Sequence, residues 1–515
     1  MPVALELIGR DSITYKSASK AEFNVINEVA YVRAVKELYH NLWQQRASIA
    51  ALTRHHLRLG AQDTCTVLNP KEWIQGSFNV CVFVEVTSHG LSRRLVFRCP
   101  MPHKLAEARY PGTVDEKLSC EVGAYVWVQE KCPDIPVPHL LGFGFLEGGH
   151  FTHIAQRPFY VRIMHMFWRC IYSFLRYPIL SHYIQSRPGD GIRSAYMLLE
   201  NIGSETGEML SATWEKHKSD PSRRQRLFVG MSRIMLSLAR VPQPQIGSFR
   251  FNHDGTITLT NRPLSCSVAI LENDGATRTI QKDNTYTCTE AFVSEMLTFH
   301  DHRFLSQPNA VYSADDCRGQ MAVKTLLRAL SHRFIRREYR NGPFVLQLTD
   351  FNASNIFVDQ EWNVTCWIDL EWICALPAEM LDVPYWLTGC SIDEICDERY
   401  SEFKKVREEF MYILKEEERM AIVEHNVPIS TVMQDMWESR GVWFWHCLSS
   451  VDAMYVLLEL HLCPSGSLPV DIEKALSDFW CRNSDEIVQK KLADKKRYDG
   501  ELKRLFGEGA AAGDV

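Results

Sequence analysis

Hydrophobic and polar positions change period several times along the chain, and each change marks an element. Residues 24–60 are helix-prone, with apolar Val25, Ile26, Val29, Val32, Ala34 and Val35, and predict a helical extension over residues 1–64. The pattern then turns β-like. Val80-Cys81-Val82-Phe83-Val84-Glu85-Val86 and Arg94-Leu95-Val96-Phe97-Arg98 read as strands, joined by Thr87-Ser88-His89-Gly90-Leu91-Ser92 as a hairpin. Leu118, Val122, Tyr125, Val126 and Gln129 follow at near-helical spacing, with Glu121 on the same segment. Two more apolar strands are expected at residues 139–144 and 196–202. Gly142-x-Gly144 lies inside the first of these, and no third glycine precedes a helix, so it is no dinucleotide fingerprint.

The C-terminal half is helix-periodic apart from two hairpins. Residues 227–241 are amphipathic, and residues 248–259 hold an Asn-His-Asp-Gly turn between strand-like runs. Residues 401–423, 431–462 and 471–492 predict three long helices, and the Gly/Ala-rich residues 507–515 a disordered tail. Strands concentrated early and helices late predict an α+β fold.

One stretch, residues 145–193, interrupts this layout with an unusual composition. Arg157, Arg162, Arg169 and Arg176 alternate with Phe159, Tyr160, Phe167, Trp168, Tyr172 and Phe174. It reads as an amphipathic helix packed on its own protein or as a substrate lid, in preference to a helix lying on a membrane surface. It is too short and too charged to span a bilayer.

Composition narrows the classes. The 515 residues are 46% hydrophobic and 23% charged, as in ordinary globular proteins. A net charge of -6 and a pI near 6.3 argue against a nucleic-acid binder. No leader or membrane-spanning run is expected. The sixteen cysteines are scattered, with no Cys-x-x-Cys, which argues against zinc and predicts mostly buried thiols in a reducing compartment, cytoplasmic or nuclear, over secretion.

The candidate chemistry lies in LTDFNASNIFVDQEWNVTCWIDLEW. Asn355 and Asp369 stand at mirror positions around Trp362, in the polar turn of a hairpin with strands at 356–358 and 364–368. Antiparallel pairing predicts the two side chains across its open end, roughly 5 Å apart at Cα. Magnesium prefers hard oxygen ligands, with one or two from protein and the rest from phosphate and water. Asp369 and Asn355 suit that shell. Asp350 is placed to orient an acceptor hydroxyl and take its proton.

These residues resemble the catalytic core of the aminoglycoside phosphotransferase family, protein-kinase-like enzymes with the pattern His-x-Asp-x-x-x-x-Asn, a hairpin, then Ile-Asp-Φ-Glu. Asp350, Asn355, Ile368-Asp369 and Glu371 match it, whereas Leu348 stands at the histidine position, as in a fungal branch reading Leu-Thr-Asp. The resemblance implies a bilobed fold: a β-rich N-lobe over residues 65–200 and a helical C-lobe over residues 201–505. It implies ATP and Mg2+, with Gly76 and Ser77 covering the phosphates, Arg98 in place of the usual lysine, and Glu121 as its ion-pair partner. Glu200 to Ile202 become the adenine-reading hinge, with Glu200 and Ile202 supplying backbone groups. Each of these positions also has a plain reading: an ordinary turn, a strand-edge arginine, a solvated glutamate.

The expected function is transfer of the terminal phosphate of ATP to a hydroxyl of a small molecule. The alternative is a catalytically weak or inactive kinase-like binding protein, favoured by Leu348, Arg98 and the sparse glycine loop. A protein kinase fits less well, since no Asp-Phe-Gly or Ala-Pro-Glu occurs. Acceptor recognition has two candidates, the acidic run Asp393, Glu394, Asp397 and Glu398, and the group Trp437, Trp443 and Trp445. Each also reads as solvated surface or as core.

Overall fold

The structure, a computed structural model, describes residues 3–187, 189, 191–421, 427–463 and 468–511. Its fold is α+β with antiparallel sheets. The largest sheet has eight strands, in the order Tyr183–Ser186, His150–His153, Leu140–Gly144, Tyr196–Glu200, Leu91–Pro100, Asn79–Ser88 and Thr64–Val67, with Ile74–Gln75 also pairing Asn79–Ser88. The central hairpin is tighter than its sequence suggests. Ser88 pairs Leu91, and His89 and Gly90 close the turn at φ 51° and 79°. Two positive φ values match the right-handed twist of the flanking strands, so the strands continue to the turn itself.

Period-2 alternation decides what each face buries. Val80, Val82, Val84, Leu95 and Phe97 pack against the helices Val25–Gln44 and Arg46–Leu57. Arg98, next to Phe97, therefore points to the other face, where the helix Thr113–Lys131 covers the sheet. That helix is buried on nearly all sides, because Phe249 and Phe251 of a second hairpin close over it. The hairpin's strands are Ser248–Phe251 and Thr256–Asn261, joined through Gly255 at φ 84° as the Asn-His-Asp-Gly signal implies.

Several elements depart from the sequence reading. A β-hairpin, Ala4–Leu7 with Arg10–Thr14, precedes the helices of the N-terminal extension. It packs on the C-terminal helix Ser484–Ala511, where Leu502 and Phe506 are buried and the Tyr498 hydroxyl accepts a hydrogen bond from Val25 N at 3.0 Å. That helix covers residues 507–511, which the composition assigns to a disordered tail; residues 512–515 lie outside the described residues. The expected helix over 431–462 is divided into Ile429–Glu438, Gly441–Ser449, Met454–Leu457 and a π-helical turn, Leu458–Leu462. The first break falls at Arg440, which adopts φ 62°.

The stretch 145–193 is only partly an insertion. It supplies His150–His153 and Tyr183–Ser186 to the main sheet, and Ile179–Leu180 to the second hairpin. Between them runs the helix Phe159–Phe174, and none of its residues is buried. The helix lies on its own protein, one of the two readings expected of it, through His165 and Arg169, yet Phe159, Tyr160, Phe167, Trp168 and Phe174 stay exposed. Among the described residues, no helix is long and apolar enough to cross a membrane.

Candidate functional site

The motif hairpin forms from Ile356–Val358 and Val364–Trp367. Asp359 organises the turn: its carboxylate accepts from the backbone of Glu361 and Asn363, both at 2.9 Å. Trp362, expected in a polar turn, is instead fully buried at φ 64° and stacks on Trp214 with ring centroids 5.5 Å apart. An irregularity between Phe357 and Val358 shifts the register, so that Ile356 faces Trp367. Asn355 consequently faces Ile368, whose N–H donates to the Asn355 carbonyl at 2.9 Å. Asp369 therefore sits one residue beyond the mirror position. The side chains reach the same end of the hairpin, but not as a directly opposed pair.

Asp369 leaves the strand at φ 67°. This left-handed conformation costs an L-residue roughly 1 kcal/mol, less for aspartate than for most. The turn aims its carboxylate at the sheet: Arg98 Nη2 donates to Asp369 Oδ1 at 2.5 Å and to Glu371 Oε2 at 3.2 Å, while Nη1 pairs with Glu121. The Arg98 to Glu121 pairing implied by the resemblance is thus present as geometry.

Sequence reasoning missed a second cation. Lys117, one turn before Glu121, has no exposed surface. Its Nζ pairs with Glu121 Oε2 at 3.1 Å and with Glu371, and donates to Asn79 Oδ1 at 3.0 Å; Asn79 Nδ2 in turn donates to Glu371 Oε2 at 2.7 Å. The i,i+4 spacing of Lys117 and Glu121 is the one signal that hinted at it. Burial works against the charge on Lys117, but Glu121 and Glu371 override it and raise its pKa. Burial also pushes Glu371 up, yet Lys117 and Arg98 hold it below the usual carboxylate range. Asp369 moves the other way: burial raises it, Arg98 only partly offsets this, and Glu371 and Glu121 add repulsion. Two cations face three carboxylates, so the cluster carries one negative charge when all are ionised.

The oxygen set fits magnesium. Asp369 Oδ2 and Asn355 Oδ1 accept no hydrogen bond among the described residues, while the Asn355 amide is held by donating to the Asp350 carbonyl at 2.9 Å. One carboxylate and one amide oxygen are the protein share expected of a magnesium ion shared with phosphate, and a divalent ion would reverse the cluster's residual charge. Among the described residues no group of three His, Cys, Asp or Glu could hold a metal, so an all-protein cage is absent there.

Asp350 follows the strand Val345–Leu348, which pairs with Ile373–Leu376. Burial and the Glu371 carboxylate push its pKa above the ordinary carboxylate value, against a hydrogen bond from Asn352 Nδ2 at 3.1 Å. Leu348 pairs across the ladder with Ile373 and packs against the main core, so an apolar contact occupies the motif's histidine position.

The remaining sequence candidates fall into two groups. Gly76 and Ser77 are exposed in the turn between Ile74–Gln75 and Asn79–Ser88, two to three residues from Asn79. The turn does not require a glycine: φ at Gly76 is not positive, and a Cβ there would lie 3.6 Å from its nearest neighbour, Asn79 O. Glu200 ends the strand Tyr196–Glu200, and its N–H donates to the His139 carbonyl at 2.9 Å. Beyond it, the Ile202 backbone N–H and C=O form no hydrogen bond among the described residues.

A cavity of about 440 Å³ opens beside Asp350, which sequence reasoning did not find. Its polar lining includes Asp350, Asn352, Asp382 and His446, with His446 Nε2 3.1 Å from Asp382 Oδ2. Ile270, Met296, Met380 and Trp445 contribute an apolar wall. Of the tryptophan candidates only Trp445 lines it; Trp443 is core, and Trp437 lies under the Arg407 guanidinium, 4.5 Å from its ring centroid. The acidic run does not line it: Glu394 caps the Ser391 N–H at 3.0 Å and pairs with Arg399, while Asp393, Asp397 and Glu398 are exposed. No family model matches the chain, and no curated protein matches it either.

Proposed function

We propose that the chain is an ATP-dependent phosphotransferase of the aminoglycoside phosphotransferase type, with a bilobed kinase-like fold, acting in the cytoplasm on a hydroxyl of a small molecule. The observation that carries this reading is the convergence at one hairpin end of Asp369, Asn355 and Asp350, with Arg98 and Glu121 on one side and the cavity on the other. Cys463 apart, the cysteines form no disulfide among the described residues, which agrees with a reducing compartment.

In this reading Asp350 accepts the proton of the acceptor hydroxyl as its oxygen bonds to the terminal phosphorus; the bond to the bridging oxygen breaks and ADP leaves. An Asp350 carboxylate of raised pKa is a better base than an exposed one. Asp369 and Asn355 would hold the metal, which when bound would supply positive charge to the phosphate oxygens. Arg98, fixed by Glu121 and Glu371, presents its remaining donor surface to the phosphates, while Gly76 and Ser77 cover them and Glu200 and Ile202 meet the adenine edge.

One observation favours the alternative of a binding module: Arg98 already pairs with Asp369, the proposed metal ligand. Calorimetry with ATP, with and without magnesium, followed by turnover against hydroxylated metabolites, separates the two. The proposal expects magnesium-dependent binding and turnover. It further expects Asp350→Asn to slow turnover at least about a hundredfold with little change in nucleotide affinity, and Asp369→Ala to abolish metal-dependent binding. Absence of magnesium-dependent binding overturns the enzymatic reading, and identical behaviour of the two variants overturns the division of roles.

A further inference from the structure

The helix Phe159–Phe174 is oriented the opposite way from an ordinary surface helix. Its polar side faces the protein: His165 Nε2 lies 2.7 Å from the Ser181 carbonyl, and Arg169 Nη2 pairs with Glu130 at 2.5 Å. Its apolar side faces outward. Phe159, Ile163, Phe167 and Phe174, at i, i+4, i+8 and i+15, fall within an arc of about 80°. Phe159 is 73% exposed, Phe167 59% and Phe174 86%. Leu175 and Tyr177 continue the exposed apolar surface past the helix end. A soluble surface normally avoids so continuous an apolar patch.

The charge around this face selects what covers it. Between Glu147 and Asp190 the chain has five arginines and no acidic residue. Arg162, Arg176 and Arg187 are exposed and form no ion pair among the described residues. A second copy docked face to face would bring arginine to arginine with no carboxylate from this stretch. A bilayer with anionic headgroups offers both what the apolar arc needs and what the free guanidinium groups need.

We propose that the helix Phe159–Phe174 docks the protein on an anionic phospholipid surface, with Phe159, Ile163, Phe167 and Phe174 entering the acyl boundary and Arg162, Arg176 and Arg187 meeting headgroup phosphates. This is peripheral binding, independent of the catalytic reading above.

The test is flotation of the full chain with phosphatidylcholine vesicles, with and without phosphatidylserine. Binding to the anionic vesicles, weak binding to the neutral ones, and loss of binding as salt is raised are the expected results. Each free arginine near the surface is worth on the order of fivefold in partitioning, so R162E with R176E and R187E lowers it at least about a hundredfold. I163D with F167D lowers it at least about tenfold. All five positions are exposed, three on the helix and two beyond its end, and thermal melting of each variant verifies the fold. Absence of vesicle binding, or binding unaffected by both variants, overturns the proposal. So does a concentration-dependent dimer that I163D with F167D dissolves while vesicles do not bind, since the face then belongs to a second copy.

Discussion

Arg98 and Lys117 converge on one oxygen, Oε2 of Glu371, from a strand and from a helix. Burial opposes both charges and the carboxylates sustain them: Glu121, like Glu371, pairs with both cations, while Asp369 pairs with Arg98. The cluster thus fixes the helix Thr113–Lys131 against the motif loop through charge, in a place where apolar packing alone would allow sliding.

Removing one partner of such a buried set leaves the others uncompensated. Lys117→Met is therefore expected to destabilise the protein by about 3–5 kcal/mol in urea unfolding, and Lys117→Met with Glu371→Gln to recover part of that loss. A single-variant cost below about 1 kcal/mol would show that the cluster is solvated and loosely held.

The cavity beside Asp350 is expected to hold the acceptor. Asp382→Asn and His446→Gln, which disturb the pair lining it, should raise the acceptor KM about tenfold while leaving the nucleotide KM unchanged. Steady-state kinetics with each substrate varied in turn will read the split, and a change in nucleotide KM would place these residues elsewhere in the cycle.

Gly142 and Gly144 need no ligand to explain them. A Cβ on Gly142 would collide with the His56 imidazole, which bonds Thr152 and Tyr196 at 2.8 Å each, and one on Gly144 would meet Tyr196 and His150. Because His56 is fully buried and held from both ring nitrogens, it has nowhere to move. Gly142→Ala should cost about 1–3 kcal/mol of stability. Paired with His56→Ala, its cost should shrink, which a double-mutant cycle by chemical denaturation would register.

Two buried histidines set an acid limit. Burial lowers His56 from 6.5 to about 3 and His300 from 6.5 to about 4, so both are neutral in the folded protein at neutral pH. The unfolded chain takes up their protons as pH falls below 6.5, so the stability they contribute is present above that value and is lost toward the folded pKa. One unit below 6.5 each costs roughly 1.4 kcal/mol. Calorimetric Tm values should fall over this range, and His300→Gln should flatten the decline.

Periodicity made the central strands, the Glu121 helix and both long hairpins legible, because in each the apolar positions recur at the period of a regular element. It misplaced what depends on irregularity. The turn closes between Asp359 and Asn363, one residue short of the centre at Trp362, and the bulge at Phe357 and Val358 recovers only part of that offset, so Asp369 falls one residue past the partner of Asn355; no pattern of residue types announces either. Lys117 was hidden because a lysine four residues before a glutamate reads as a solvated helix pair until Glu371, distant in sequence, closes over it. The cavity is assembled from stretches of chain as far apart as Met235 and Val451, so no local window contains it. The exposed helix erred in the opposite direction: its amphipathicity was legible, but the side that faces water was not.

The packing of Tyr498, Leu502 and Phe506 on Leu7, Ile13 and Val25 has a consequence for biosynthesis. Val25 lies 473 residues before its partner Tyr498. During synthesis the hairpin Ala4–Leu7 with Arg10–Thr14 and the start of the helix Val25–Gln44 are exposed to chaperones and proteases until the helix Ser484–Ala511 has emerged. A chain truncated before Ser484 keeps this apolar surface unburied, which makes the junction a recognition point for truncated products.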